Sequence, residues 1–179
     1  VRRAADSEFV VGVKSYPRGV TTHSDAGVES YEPYYPVFEA MQEAGLVLEI
    51  HGELPSDPVN DICCLNAEAR FLPMVERLHR DFPRLRIVLE HITTKDAVEF
   101  VQGAGATVAA TITAHHLLFN RNDMLVGGIR PHYYCLPVLK RNIHQLELQQ
   151  AATSANPRFF LGTDSAPHVD ELKEHACGC

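Results

Sequence analysis

Five short apolar runs alternate with stretches of helical period along this chain, and no other feature narrows the fold so far. Phe9–Val13, Leu46–Ile50, Arg86–Glu90, Thr107–Thr113 and Arg158–Thr163 read as strands. They are largely continuous apolar runs, as in strands covered on both faces. Between them the 3.6-residue period predicts helices over about Pro36–Ala44, with Val37, Met41 and Ala44 on one face, and over about Ala67–Arg80, with Phe71, Met74, Val75 and Leu78 apolar. A third covers Lys95–Gln102 and closes at Gly103. After the fourth run a long connection leads to a helix opened by Pro137, with Leu139, Ile143 and Leu146 along its stripe. Proline suits a first turn, since the N–H it lacks would have no partner there. Pro73, in contrast, is expected to start or kink its helix. Repeated strand-helix alternation makes a parallel sheet covered by helices, an α/β fold.

Four of the five runs stop on or beside an ionisable residue. "FVVGVKSYP" reaches Lys14, "LVLEIHGE" reaches His51, "RIVLEHITT" reaches His91 and "RFFLGTDSAPH" reaches Asp164. In a parallel α/β fold the C-terminal ends of all strands lie on one side, so these residues converge however far apart they are in sequence. In a (β/α)8 barrel that face carries the active site.

The chain of 179 residues, 45% hydrophobic, can build one substantial core and reads as a single domain, 1–179. A formal charge of −7 without a long basic run lacks the footprint of a nucleic-acid binder. Apolar runs of four to seven residues are too short to span a membrane. Five cysteines, Cys63, Cys64, Cys135, Cys177 and Cys179, make a poor disulfide framework and point to a reducing compartment. The C-G-C at Cys177–Cys179 reads as ordinary thiols, because no second Cys/His pair stands at zinc-finger spacing. The chain begins on Val1 and stops on "ACGC" just past a strand, so it reads as a piece of something longer.

Two histidines and an aspartate on one rim are a standard donor set for zinc. A lysine beside them repels cations as an ammonium, yet a buried lysine loses its proton readily. The neutral amine can add CO2 and become a carbamate, an anion with two oxygens able to bridge two metals about 3.5–4 Å apart.

The segments "HITTKDA", "HHLLFNRNDMLVGGIRPHYYCLPVLKRNIHQ" and "FFLGTDSAPH" resemble the dihydroorotases of the amidohydrolase superfamily, in their shorter single-function form. The resemblance runs over essentially the whole chain. It implies a zinc-dependent (β/α)8 TIM barrel of which this chain covers about strands 4 to 8. It implies reversible hydrolysis of the cyclic amide of L-dihydroorotate to N-carbamoyl-L-aspartate in pyrimidine (UMP) synthesis. It further implies that Lys14 is an N6-carboxylysine bridging two Zn2+, that His51 and His91 bind one zinc, and that Asp164 binds the other and is the catalytic acid/base. Leu136 and His168 match substrate-binding positions, and Thr21 and Thr22 match residues of a loop that closes over substrate. The small molecule is then the one implied partner, with no nucleic acid or membrane, a possible homodimer in the full-length protein, and a cytoplasmic location. An organellar address, if there is one, would lie outside this segment.

The departure from the family pattern is the H-x-H pair and following arginine of its first strand, which occur nowhere here. About three strands and a last helix are unaccounted for. An open five-stranded sheet would expose its edges and inner side chains, so this polypeptide alone is expected to be unstable or inactive. Most remaining histidines read as ordinary: His79 and His144 as solvated helix residues, His23 as a loop residue, and His115 and His116 near the site without a ligand role. Arg130 and Arg141 read as scaffold, and "VGG" at Val126–Gly128 as a turn. Two other functions fit less well, namely a different cyclic amidohydrolase of hydantoinase or allantoinase type, and a non-catalytic remnant kept as a scaffold. "YYCLPVLKRNIHQ" argues against the first and the intact Lys14, His51, His91 and Asp164 against the second.

Overall fold

A computed structural model of the chain describes residues 1–175. Its centre is a sheet of five parallel strands, β1 (Gly12–Ser15), β2 (Val47–His51), β3 (Arg86–Glu90), β4 (Val108–Ile112) and β5 (Phe159–Leu161). They pair strictly in sequence order. Such an order, with a helix in every crossover, is that of consecutive units of a (β/α)8 barrel. Leu48 and Ile50, Ile87 and Leu89, and Val108, Ala110 and Ile112 are buried at alternate positions. The intervening Glu49, Val88 and Ala109 are only half-buried on the other face. Among the described residues β1 and β5 each have a single neighbour, as expected of an open partial barrel.

The helical layer begins with α1 (Arg2–Ala5) and α2 (Tyr35–Ala44), followed by α3 (Ala67–Asp81) and α4 (Lys95–Gly103). α5 (Ala114–Leu118), α6 (Arg121–Leu125), α7 (Asn142–Thr153) and α8 (Asp170–Lys173) complete it. Phe38 and Met41 of α2, Phe71, Val75 and Leu78 of α3, Ala97, Val98 and Val101 of α4, and Leu148 and Ala151 of α7 close one core against the sheet. A smaller cluster of Met124, Val138 and Leu139 lies under the loops after β4. Among the described residues no helix is long and apolar enough to cross a membrane.

Several elements depart from the sequence reading. The first strand is Gly12–Ser15 rather than Phe9–Val13, and Phe9 is 89% exposed. The amides of Phe9 and Val10 are taken by Ser7 Oγ at 3.2 and 3.3 Å, so this stretch turns away before the ladder with β2 begins. The face of α2 is Phe38 and Met41, with Val37 and Ala44 outside. Pro73 neither starts nor ends α3, which runs from Ala67 to Asp81 with the proline inside. Pro137 does not open a helix: Leu136–Pro137 is a cis peptide, Val138 and Leu139 pack into the satellite cluster, and α7 starts only at Asn142. The Lys140 carbonyl accepts from Arg121 N–H at 2.7 Å, which fastens this stretch to α6 instead of letting it coil. The buried face of α7 is Gln145, Leu148 and Ala151, and Ile143 and Leu146 are exposed. β5 is Phe159–Leu161, shorter than Arg158–Thr163, and the Arg158 guanidinium donates to the carbonyls of Val101, Gln102 and Ala104 at the end of α4.

Neither helix histidine is simply solvated. His144 Nδ1 accepts from Lys95 N–H at 3.0 Å, and His79 Nδ1 is buried without a hydrogen-bond partner among the described residues. Among the described residues Cys63, Cys64 and Cys135 are free thiols. The C-G-C motif lies outside the described residues.

Candidate active site

Parallel register brings the strand ends level. Lys14 lies opposite Glu49 across β1 and β2, and His51 opposite Glu90 across β2 and β3. His91 follows β3 directly, and Asp164 stands three residues beyond Leu161. Both depart from ordinary backbone geometry, with φ of +43° at His91 and +47° at Asp164, a region that non-glycine residues seldom occupy. Asp164 reaches the rim because Gly162 lies hard against β4, where an added Cβ would come within 2.7 Å of Thr111 Cβ.

The side chains meet. The rings of His51 and His91 lie edge to face with centroids 4.7 Å apart. Lys14 forms an ion pair with Glu90, and the Asp164 carboxylate is near enough to act on the Lys14 charge. All eight residues singled out from sequence, Lys14, Thr21, Thr22, His51, His91, Leu136, Asp164 and His168, line one cleft of about 350 Å³. Thr21 and Thr22 come from the loop after β1. It is tied at its base by Arg18 N–H to Val28 O (3.0 Å) and Val28 N–H to Tyr16 O (2.9 Å). Ser24 Oγ holds its tip by donating to Thr21 O at 2.5 Å.

Burial draws the Lys14 amine below its ordinary pKa, while the carboxylates of Asp164 and Glu49 work in the opposite direction. His91 is held well below the usual imidazole value, first by burial, then by the neighbouring His51 and Lys14. It is therefore a neutral ring, the form that binds metals. His91 Nδ1 is buried and has no hydrogen-bond partner among the described residues, a costly state for a polar atom unless something occupies it. Among the described residues no three His, Cys, Asp or Glu side chains stand together as a ready metal-binding trio. Among the described residues, a metal at the two imidazoles fits with Lys14 as a third donor, which requires it to be an anion rather than the ammonium paired with Glu90.

His116 serves another purpose. Its Nε2–H donates to Pro137 O at 3.0 Å and its Nδ1 accepts from the Thr113 hydroxyl, a bridge that places the Leu136 segment over the end of β4. Burial and the adjacent His115 lower its pKa to about 3. The sequence reading did not single out Tyr16, His23, Tyr134, Cys135 and Lys173, which also line the cleft, or Glu90 beneath it. Tyr16 could have been found, since two residues beyond Lys14 a strand side chain faces the same way. His23, Tyr134 and Cys135 sit on irregular loops and carry no periodic signal, while Lys173 ends the short α8 and Glu90 ends β3.

The sequence profile of the amidohydrolase family matches residues 1–119. The dihydroorotase of Aliivibrio salmonicida is 59% identical over the whole of this chain, which covers 52% of that protein. The chain thus spans about half the length of the curated relatives it matches. The crystal structure of dihydroorotase from Saccharomyces cerevisiae, in complex with 5-fluoroorotic acid, superposes with a TM-score of 0.91 at 43% identity, over 99% of this chain and 51% of that one. A D-hydantoinase matches at a TM-score of 0.74 and 17% identity over 93% of this chain and 39% of its own, a likeness of fold alone.

Proposed function

The chain belongs to the amidohydrolase family, and from that premise we propose that it is the part of a dihydroorotase carrying strands four to eight of the barrel and most of its active site. The observation that carries this reading is the meeting of Lys14, His51, His91 and Asp164, drawn from four different strand ends, in one cleft. Identity of 59% to dihydroorotases, against 17% to a hydantoinase, favours dihydroorotate over hydantoin as the ring opened.

The Lys14 amine, with its pKa lowered by burial, attacks CO2 through its lone pair and loses a proton, giving a carbamate. So modified, Lys14 would hold zinc together with His51, His91 and Asp164. Zinc so held would supply polarisation of the ring amide carbonyl and a nucleophile from water at neutral pH. The exposed Asp164 carboxylate takes up the proton of that water and delivers it to the leaving amide nitrogen. In ring closure the same carboxylate removes the nitrogen proton, so one group serves both directions. His168 and the Leu136 backbone hold the substrate, and the loop of Thr21 and Thr22 excludes water when it closes. The exposed thiol of Cys63 fits a reducing, cytoplasmic setting.

The test is turnover by the full-length protein, with L-dihydroorotate and hydantoin offered separately and N-carbamoyl-L-aspartate measured as product. Conversion of dihydroorotate supports the reading. Turnover of hydantoin without dihydroorotate would hand the site to a different cyclic amidohydrolase, and turnover of neither would leave the chain a scaffold.

A further inference from the structure

Near the two imidazoles lie three buried charged side chains that the proposed chemistry does not use. Glu53, Glu68 and Lys140 are 1%, 4% and 5% exposed. Glu68, in the first turn of α3, accepts from the N–H groups of Thr93 and Thr94 at 2.8 and 2.9 Å, and from their hydroxyls at 2.7 and 2.5 Å. Thr94 Oγ1 in turn accepts from Ala97 N–H at 3.1 Å and so caps α4. One helix thereby grips the start of the next at the two threonines that follow His91 and Ile92. His91 N–H donates to Thr111 Oγ1 at 2.7 Å, so its left-handed backbone is pinned from β4 on one side and from α3 on the other.

Glu53 acts on the other imidazole. Its Oε2 lies 2.9 Å from His51 Nε2. A carboxylate accepts a hydrogen bond from the nitrogen it contacts, which puts the hydrogen on Nε2 and leaves the lone pair on Nδ1. The second oxygen of Glu53 makes no hydrogen bond among the described residues and faces Lys140 Nζ at 4.0 Å. Lys140 donates to Val138 O at 2.9 Å, two residues past Leu136, and its charge opposes the upward push that burial exerts on the Glu68 carboxyl. An apolar core of equal volume would be as stable without three desolvated charges. Their placement against three cleft-bearing segments therefore calls for another reason.

We propose that Glu53, Lys140 and Glu68 are positioning residues, a buried ion triad that fixes the tautomer of His51, the backbone of His91 and the seat of Leu136. The proposal rests on the reading of His51 and His91 as metal ligands. Its test uses full-length protein with Glu53→Gln and Glu68→Gln. Zinc affinity is measured against a chromophoric chelator, kcat and KM are measured separately, and histidine nitrogen NMR is recorded on the metal-free protein. Zinc affinity should fall about 10–100-fold in both variants, with kcat falling more than KM rises. Only Glu53→Gln should move His51 away from the Nε2–H tautomer. If Glu68→Gln does not fold, Thr93→Val, which removes one hydroxyl donor and leaves the carboxylate in place, should give a smaller loss in the same direction. Variants that melt earlier yet bind zinc with unchanged affinity and an unchanged His51 tautomer would reduce the triad to scaffold. A wild-type protein that neither binds zinc nor turns over dihydroorotate would overturn the underlying reading before any variant is compared.

Discussion

His116 should make stability depend on pH in a way that one substitution removes. The ring is neutral because both nitrogens are committed, Nε2 as donor to a carbonyl and Nδ1 as acceptor from Thr113, in a site that excludes water. Its pKa is about 3 in the folded chain against 6.5 for an ordinary histidine. A group whose folded pKa is depressed contributes fully above its unfolded value, and the contribution is lost as pH falls toward the folded value. Below pH 6.5 the unfolded chain therefore binds a proton that the folded chain refuses. At about 1.4 kcal/mol per pH unit, the descent to about pH 5 costs about 2 kcal/mol from this residue alone. Urea unfolding of the full-length protein, followed by circular dichroism at about pH 7.5 and pH 5, measures it. His116→Gln cannot titrate, and its loss of stability over that interval should be smaller than wild type's by about 2 kcal/mol. Equal losses in the two proteins would mean that His116 titrates normally and that its bridge to Pro137 is wrongly assigned.

Further outcomes follow from packing and from the rim. Gly162→Ala should part β4 from β5, because the new Cβ meets Thr111 within 2.7 Å; thermal unfolding should show a loss of about 1–3 kcal/mol, and kcat should drop as Asp164 shifts. Leu89→Ala opens a cavity in the central strand and should cost about 2–5 kcal/mol in urea unfolding. Lys14→Arg keeps the ion pair with Glu90 but cannot form a carbamate, so the full-length protein should retain its fold by circular dichroism while its zinc content, by elemental analysis, falls.

The convergence of the site was legible because it depends only on the parallel sheet. Once β2 and β3 are recognised by their apolar runs, the residues after them must share a rim, and His51 and His91 do. The edge strands were less legible. Among the described residues β1 pairs with β2 alone, and Ser7 takes the amides just before its ladder begins; β5 keeps only Phe159–Leu161. The segment from Pro137 to Lys140 was misread because proline at a helix start and proline in an extended, buried turn look alike until the tie between Lys140 and Arg121 is known. The buried triad carried no signal either. Glu53, Glu68 and Lys140 sit where periodicity alone predicts loop or helix surface, and only the tertiary fold reveals that they are inside.

The central claim is that Lys14, His51, His91 and Asp164 together hold metal. Anomalous diffraction at the zinc edge, from crystals of the full-length protein grown with zinc and bicarbonate, tests it most directly. The account predicts one peak among His51, His91 and a carboxylated Lys14, and a second between that carbamate and Asp164. Zinc bound elsewhere, with Lys14 unmodified and still paired to Glu90, would contradict it.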